Sequence, residues 1–373
     1  MTRWGKQLGR WVALLLLGWA LASGAAAETG EGSSEERAAP APDRVWSLPL
    51  FGQWSIRPYA ASRLAKDQGR AYLGTREGRV YAVDSDSGGM LWTRDVGARV
   101  AAGPVVDDDK GQLYVGTDEG EVLALAADDG SEIWRQEVSS QVIAQPRVAA
   151  GMVLLRTADG FLWALRTSDG GKRWSFSVQA PSLVLRGGGQ VAFHDGLAIA
   201  GFSNGELVAV DVTDGSAKWR EKVATPSGRT ELERMVDVDA APQVVDGTVV
   251  AAAYHGKVVA MEAGSGRQIW SRSFSVHNDP VVHEGRVYIL TEDGHVVALD
   301  RSSGGTLWTQ KELAARGALS DPTWAGDWLV VGDGEGVLHW IDPGSGRIAA
   351  RQAVGLSAVH STPLALEDGH LLA

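Results

Sequence analysis

The stretch "GRVYAVDSDSGGMLW", Gly78 to Trp92, decides the fold. Its first part alternates and is rich in Val, Tyr and Ala, as a half-buried strand is. The "DSG" that follows supplies a glycine able to take positive φ at a tight turn. A second strand then ends on Trp92. The pattern is that of a β-hairpin. The unit returns as "GEVLALAADDGSEIW" (120–134), "GFLWALRTSDGGKRW" (160–174), "GELVAVDVTDGSAKW" (205–219), "GKVVAMEAGSGRQIW" (256–270) and "GHVVALDRSSGGTLW" (294–308). A seventh copy, "GVLHWIDPGSGRIAA" (336–350), carries Ala350 where the others carry Trp92, Trp134, Trp174, Trp219, Trp270 and Trp308. Within every copy a second glycine follows the first by ten residues. Such spacing marks a structural repeat.

A further strand precedes each hairpin, such as "LYVGT" at Leu113–Thr117 or "VYILT" at Val287–Thr291. Before that comes a short Pro-containing segment, as in "GPVVDDD" and "DPVVHEG". Four strands at a pitch of about forty residues describe a β-propeller. Helical 3.6-residue patterns between strands, which a barrel or doubly wound α/β fold would need, are missing. One repeat step before Trp92 falls near "VWSLPL", with Trp46. The expectation is an all-β, eight-bladed propeller of four-stranded antiparallel blades. Its last blade, begun by "STPLALEDGHLLA" at the C-terminus, would be closed by the N-terminal strand, so that no sheet edge stays open. That blade lacks the strand expected after Gly369.

The N-terminus reads as a targeting segment. Arg3, Lys6 and Arg10 precede the apolar run "WVALLLLGWALA", too short to span a bilayer comfortably, and Ala25–Ala27 fits a small-x-small cleavage site. The expected organisation is a signal peptide over 1–27, a flexible acidic linker over 28–43 and the propeller over 44–373, in the periplasm of a Gram-negative bacterium. The chain has 373 residues, a net charge of -11 and no cysteine. The acidic balance argues against sequence-independent nucleic-acid binding, which needs clustered Lys and Arg. Without cysteine, disulfides, thiol catalysis, Cys-ligated metals and an N-terminal lipid-modified cysteine are all excluded.

The "GxVxALdxxxGxxxW" unit resembles the pyrroloquinoline-quinone-type propeller repeat, whose tryptophans dock between blades. Within that superfamily the chain is similar to the BamB family, propeller subunits of the outer-membrane β-barrel assembly machinery. "PSLVLRG" (181–187), "TELERMVDVDAAPQVVDG" (230–247), "LTEDGHVVALDRSSGGTLW" (290–308) and "LVVGDGEGVLHWIDPGSGR" (329–347) carry the likeness. It departs from the family in having no lipobox cysteine and in its missing last strand. The resemblance implies a non-enzymatic scaffold without cofactor or metal, peripheral to the inner face of the outer membrane. Its partner would be BamA, through that protein's POTRA domains. Unfolded outer-membrane protein clients are a second partner class, with direct strand binding left open.

Two rival functions stand beside the scaffold. A quinone-dependent dehydrogenase resembles a longer chain with a vicinal cysteine pair and a calcium site; this chain has neither the cysteines nor an insertion of that size. A generic periplasmic protein-binding propeller is the other. "GFSNG" (201–205) matches the G-x-S-x-G of hydrolases, but aligns with "GTREG" (74–78) and "GTDEG" (116–120), which are strand-to-strand turns. "GDGEG" (332–336) is the same turn. His194, His255, His283 and His295 show no metal-ligand spacing and read as turn or surface residues.

The repeat breaks in two places. First glycines are 45 residues apart from Gly160 to Gly205 and 51 apart from Gly205 to Gly256, against 38 to 42 elsewhere. Extra chain therefore follows Trp174 and Trp219, and long connections on a rigid scaffold are where function tends to sit. The first insertion displays Leu183, Leu185 and Arg186; the second, "EKVATPSGRTELERMVDVD", ends on Asp237 and Asp239. By the resemblance these positions meet BamA. Leu183 and Leu185 would be apolar anchors and Arg186 a multi-donor charge. Asp237 and Asp239 would orient that arginine or meet a partner cation.

Overall fold

The computed structural model describes residues 12–18, 43–50, 64–181, 188–227, 229–230, 234–355, 358–359, 362–366 and 371–372. Seven blades are each built from four consecutive antiparallel strands. They run Ala65–Asp95, Val100–Glu137, Arg147–Ser177, Ala192–Lys222, Gln243–Arg272, Val281–Gln310 and Thr323–Ala353, and are called blades 1 to 7. The first strand of a blade is short, three residues in six of them. First strands of successive blades touch one another, so they ring the central axis. The fourth strand is outermost. Its residues alternate between the sheet and solvent, as in Gln268–Arg272, where Trp270 is buried between exposed Ile269 and half-buried Ser271.

Apolar patterning explains this layering. The second and third strands are covered on both faces and are near-continuous in Val, Ala, Leu and Ile, as "VYIL" and "VVAL" of blade 6 are. Outer strands face water on one side and carry charge. Each core cluster joins two adjacent blades: Ile199, Leu207 and Trp219 of blade 4 pack with Val249, Val259 and Met261 of blade 5.

The tryptophans follow one geometry. In blades 1 to 6 each indole sits opposite an alanine of the third strand, from Ala82↔Trp92 to Ala298↔Trp308. A β-bulge follows at once. Each Nε1–H donates to a carbonyl of the next blade: Trp92 to Ala127 at 2.9 Å, Trp174 to Val212 at 2.7 Å, Trp308 to Pro343 at 2.9 Å. Trp134, Trp219 and Trp270 do the same toward Thr167, Ala263 and Arg301. The turn glycine of the next blade lies beneath the ring. At Gly215, φ is +75°, and a Cβ there would fall 2.7 Å from Trp174. Glycine is needed twice over, for the backbone angle and for room.

Blade 7 reverses this pair. Trp340, on the third strand and fully buried, lies opposite Ala350 on the outer strand. The indole has changed strands and the alanine has taken its place. The same blade buries His339, whose Nε2 lies 2.8 Å from Asp333 Oδ2.

The ring end corrects one expectation. Seven blades are regular, not eight. The chain ends form a four-stranded sheet of a different make-up, in the order Asp43–Leu50, Val12–Gly18, Leu371–Leu372, Leu364–Ala365. The N-terminal strand at Asp43–Leu50 therefore does not pair with the C-terminal strands directly. Val12–Gly18, inside the apolar run read as a targeting segment, pairs with both. Pairing with Val12–Gly18 satisfies backbone groups that the short strand Leu371–Leu372 leaves open. The C-terminal part of this sheet packs on both neighbours, Leu371 on blade 7 and Leu372 on blade 1.

"GFSNG" joins two strands, Leu197–Gly201 and Glu206–Asp211, with Gly205 at φ +82°. No helix follows, so the hydrolase elbow is not formed.

Candidate partner-docking surface

Connections between blades enter by a common route. The N–H of Val100, Val142, Val238, Val276 and Val359 donates to the carbonyl just past a second strand, at Thr75, Thr117, Phe202, Ala253 and Asp333, over 3.0–3.2 Å. Four of these valines lie on a glycine that ends the second strand, namely Gly74, Gly116, Gly201 and Gly332. Contact is close: a Cβ on Gly201 would fall 2.2 Å from the Val238 carbonyl oxygen.

Further along, the connections tie successive blades together. Gln190 Nε2 donates to the Pro146 carbonyl at 3.0 Å. The Ala241 N–H donates to Asp279 Oδ1 at 2.6 Å, Asn278 Nδ2 to Asp321 Oδ1 at 2.8 Å, and Thr362 Oγ1 to Asp321 Oδ2 at 2.7 Å. This girdle places three acidic connections, at Asp239, Asp279 and Asp321, near one another.

Leu183, Leu185 and Arg186 of the first insertion lie outside the described residues. Both aspartates of the second are described. Asp237 is 2% exposed, and its carbonyl accepts the Tyr254 N–H at 2.8 Å. Asp239 is partly buried, with Oδ1 wholly enclosed. The two flank Val238, which is seated on Gly201. Upstream, the Met235 carbonyl lies 3.1 Å from Nδ1 of His255, whose ring stacks on Tyr254 at 3.9 Å. Neither aspartate projects to solvent as a free rim charge would.

Both carboxyls instead face a buried cation that sequence reading passed over. Arg156 ends the second strand of blade 3, is 3% exposed, and has its guanidinium 5.2 Å from the centre of the Phe202 ring. Burial lowers its pKa, and Asp237 and Asp239 oppose that. Burial pushes the Asp237 carboxyl up to about 7 against the attraction of Arg156. Asp239 is raised well above the usual carboxylate range, first by burial and then by Asp237, with Asp279 and Asp321 adding to it. The signal was in the repeat. Aligned second strands end in Gly74, Gly116, Gly201, Ala252, Leu290 and Gly332, and Arg156 alone is charged.

The chain matches the family model for "Outer membrane protein assembly factor BamB" over residues 40–111, 76–310 and 292–372. It is 41% identical over 317 residues to the outer membrane protein assembly factor BamB of Vibrio cholerae, covering 83% of this chain and 81% of that protein. Among solved structures, BamB from Moraxella catarrhalis superposes with a TM-score of 0.77 at 26% identity, covering 87% of this chain and 99% of that one. The quinohemoprotein alcohol dehydrogenase of Comamonas testosteroni shares the fold alone, at TM-score 0.62 and 16% identity over 82% of this chain and 68% of that one. With seven copies of the hairpin, six of them tryptophan-docked, and matches running from residue 40 to 372, this chain belongs to the BamB family of outer membrane protein assembly factors.

Proposed function

We propose that the protein is a non-enzymatic scaffold of the outer-membrane protein assembly machinery, working in the periplasm against the inner face of the outer membrane. It docks on the POTRA domains of BamA and aids folding and insertion of β-barrel proteins. The observation that carries this is the family membership, joined to the placing of the two longest repeat steps in successive connections, after Trp174 and Trp219. Leu183, Leu185 and Arg186 supply the apolar and charged contacts of the first insertion. Asp237 and Asp239 shape the second.

The mature chain begins at Glu28 and so lacks Val12–Gly18, and its C-terminal strands close the ring between blades 7 and 1. Packing of Leu371 and Leu372 on blades 7 and 1 supports that closure. The scaffold reading is tested by complementation of a Gram-negative strain that lacks BamB. The protein is expected to restore the level of folded porins in the outer membrane. No restoration, with the protein accumulating folded in the periplasm, would contradict it. The quinone-enzyme alternative predicts dye-linked alcohol oxidation once quinone and calcium are added, and this reading predicts none.

A further inference from the structure

Blade 3 reverses a size rule that blades 1, 2, 4 and 7 obey. The second strand normally ends in glycine or alanine, and the connection opposite places a valine on it: Gly74 with Val100, Gly116 with Val142, Gly201 with Val238, Gly332 with Val359. In blade 3 the strand residue is Arg156. Counting back from the inner strand of blade 4, the sequence position that matches those valines is Gly187, which lies outside the described residues. The large residue has moved to the strand, and it carries a charge.

That charge is enclosed. Among the described residues, Nε and Nη1 of Arg156 have no hydrogen-bond partner, and neither do Asp237 Oδ1, Asp239 Oδ1 or Asn278 Oδ1. The guanidinium lies over the Phe202 ring of blade 4, the Phe202 carbonyl in turn accepts the Val238 N–H at 3.2 Å, and the carboxyls on either side of Val238 act on Arg156 electrostatically. Isolated burial of either charge would cost several kcal/mol. The opposite charges offset part of that cost.

We propose that Arg156 is a positioning residue of the docking surface: its buried charge holds the Met235–Ala240 segment, with Asp237 and Asp239, against blades 3 and 4. This rests on the reading of the second insertion as part of the BamA-binding surface. Asp237 and Asp239 then act inward, on Arg156, rather than as direct contacts for a partner cation.

The charge balance makes the segment sensitive to pH. Asp237 faces Arg156. Asp239 faces Asp237, Arg156, Asp279 and Asp321. Tyr254 and His255, on the other side, are engaged with Asp237 and Met235 through main-chain groups, and His255 Nε2 lies 4.0 Å from Glu292. Asp237 keeps its proton up to about pH 7 when folded but releases it near 3.8 when unfolded. Between those values the folded form holds more protons, so its contribution to stability falls as pH rises through 7.

Amide hydrogen exchange over residues 234–241, corrected for intrinsic rates, reads this without any partner. In Arg156→Met the segment is expected to exchange at least about tenfold faster than wild type at pH 8, and by a smaller factor at pH 6, where the carboxyls recover protons. Equal exchange in variant and wild type, or the same acceleration at both pH values, would overturn the proposal. Arg156→Met/Asp237→Asn/Asp239→Asn removes the charges together and covers the case in which the single variant does not fold. Its exchange over 234–241 should not differ between pH 6 and pH 8, and a difference as large as that of wild type overturns the proposal. Affinity of Arg156→Met for BamA POTRA domains should fall at least about tenfold. If wild type itself does not bind them, the docking reading fails while the exchange result still decides the role of Arg156.

Discussion

Trp174→Ala is expected to lower the folding free energy by about 3–5 kcal/mol. The indole fills the joint between blades 3 and 4, packed with Leu154 and Leu162 on one side and Val210 and Val212 on the other. Its N–H satisfies the Val212 carbonyl. The room beneath it is set by Gly215, whose main chain cannot move in to fill a cavity without losing its turn. The joint therefore relaxes little, and poor relaxation puts the cost near the top of the range for large-to-small changes. Trp174→Phe separates packing from hydrogen bonding. It keeps an aromatic ring and leaves the carbonyl unpaired, so a smaller loss of about 1–3 kcal/mol is expected. Urea denaturation followed by far-ultraviolet circular dichroism measures both. A loss below about 1 kcal/mol for Trp174→Ala would mean that the joint is not held by its tryptophan.

Gly201→Val is expected to cost about 3 kcal/mol. The first side-chain atom would lie 2.2 Å from the Val238 carbonyl oxygen and 2.5 Å from Val238 Cγ1. Main chain cannot yield as a side-chain tip can, so the Met235–Ala240 segment must shift. Val238→Gly in the same protein moves the large residue from the connection to the strand. It should recover about 1 kcal/mol or more, although Val238→Gly alone is itself destabilising. The same denaturation curves give the coupling. Strictly additive losses would contradict the size rule.

Much of the fold could be read from the hairpin repeat. Glycine and tryptophan spacing located the turns, the outer strands and the joints, because one geometric demand recurs at each joint. Reciprocal changes were harder to see. Ala350 was legible as a missing tryptophan, but its exchange with Trp340 was not, since the two are paired only across strands. The make-up of the terminal sheet was misread for a related reason. Val12–Gly18 has the composition of a targeting segment and also the length of a strand, and local pattern does not decide between them.

The candidate site divided in the same way. Step lengths located both insertions. Asp237 and Asp239 read as partner contacts through the family resemblance, which does not say whether their side chains are exposed. Asp237 is buried and Asp239 partly so, and the cation that acts on them, Arg156, lies some eighty residues earlier in a strand read only for its apolar character. The odd residue at a repeat position was the available signal, and it marks a buried charge as readily as a surface one.

The most direct test of docking is the affinity of residues 28–373 for the POTRA domains of BamA, measured by titration calorimetry for wild type and Leu183→Ala/Arg186→Ala. Two anchor residues lost from one surface should weaken binding at least tenfold, roughly 1.4 kcal/mol or more, with the melting temperature unchanged. Equal affinity in a folded variant would contradict the placing of the docking surface on these insertions.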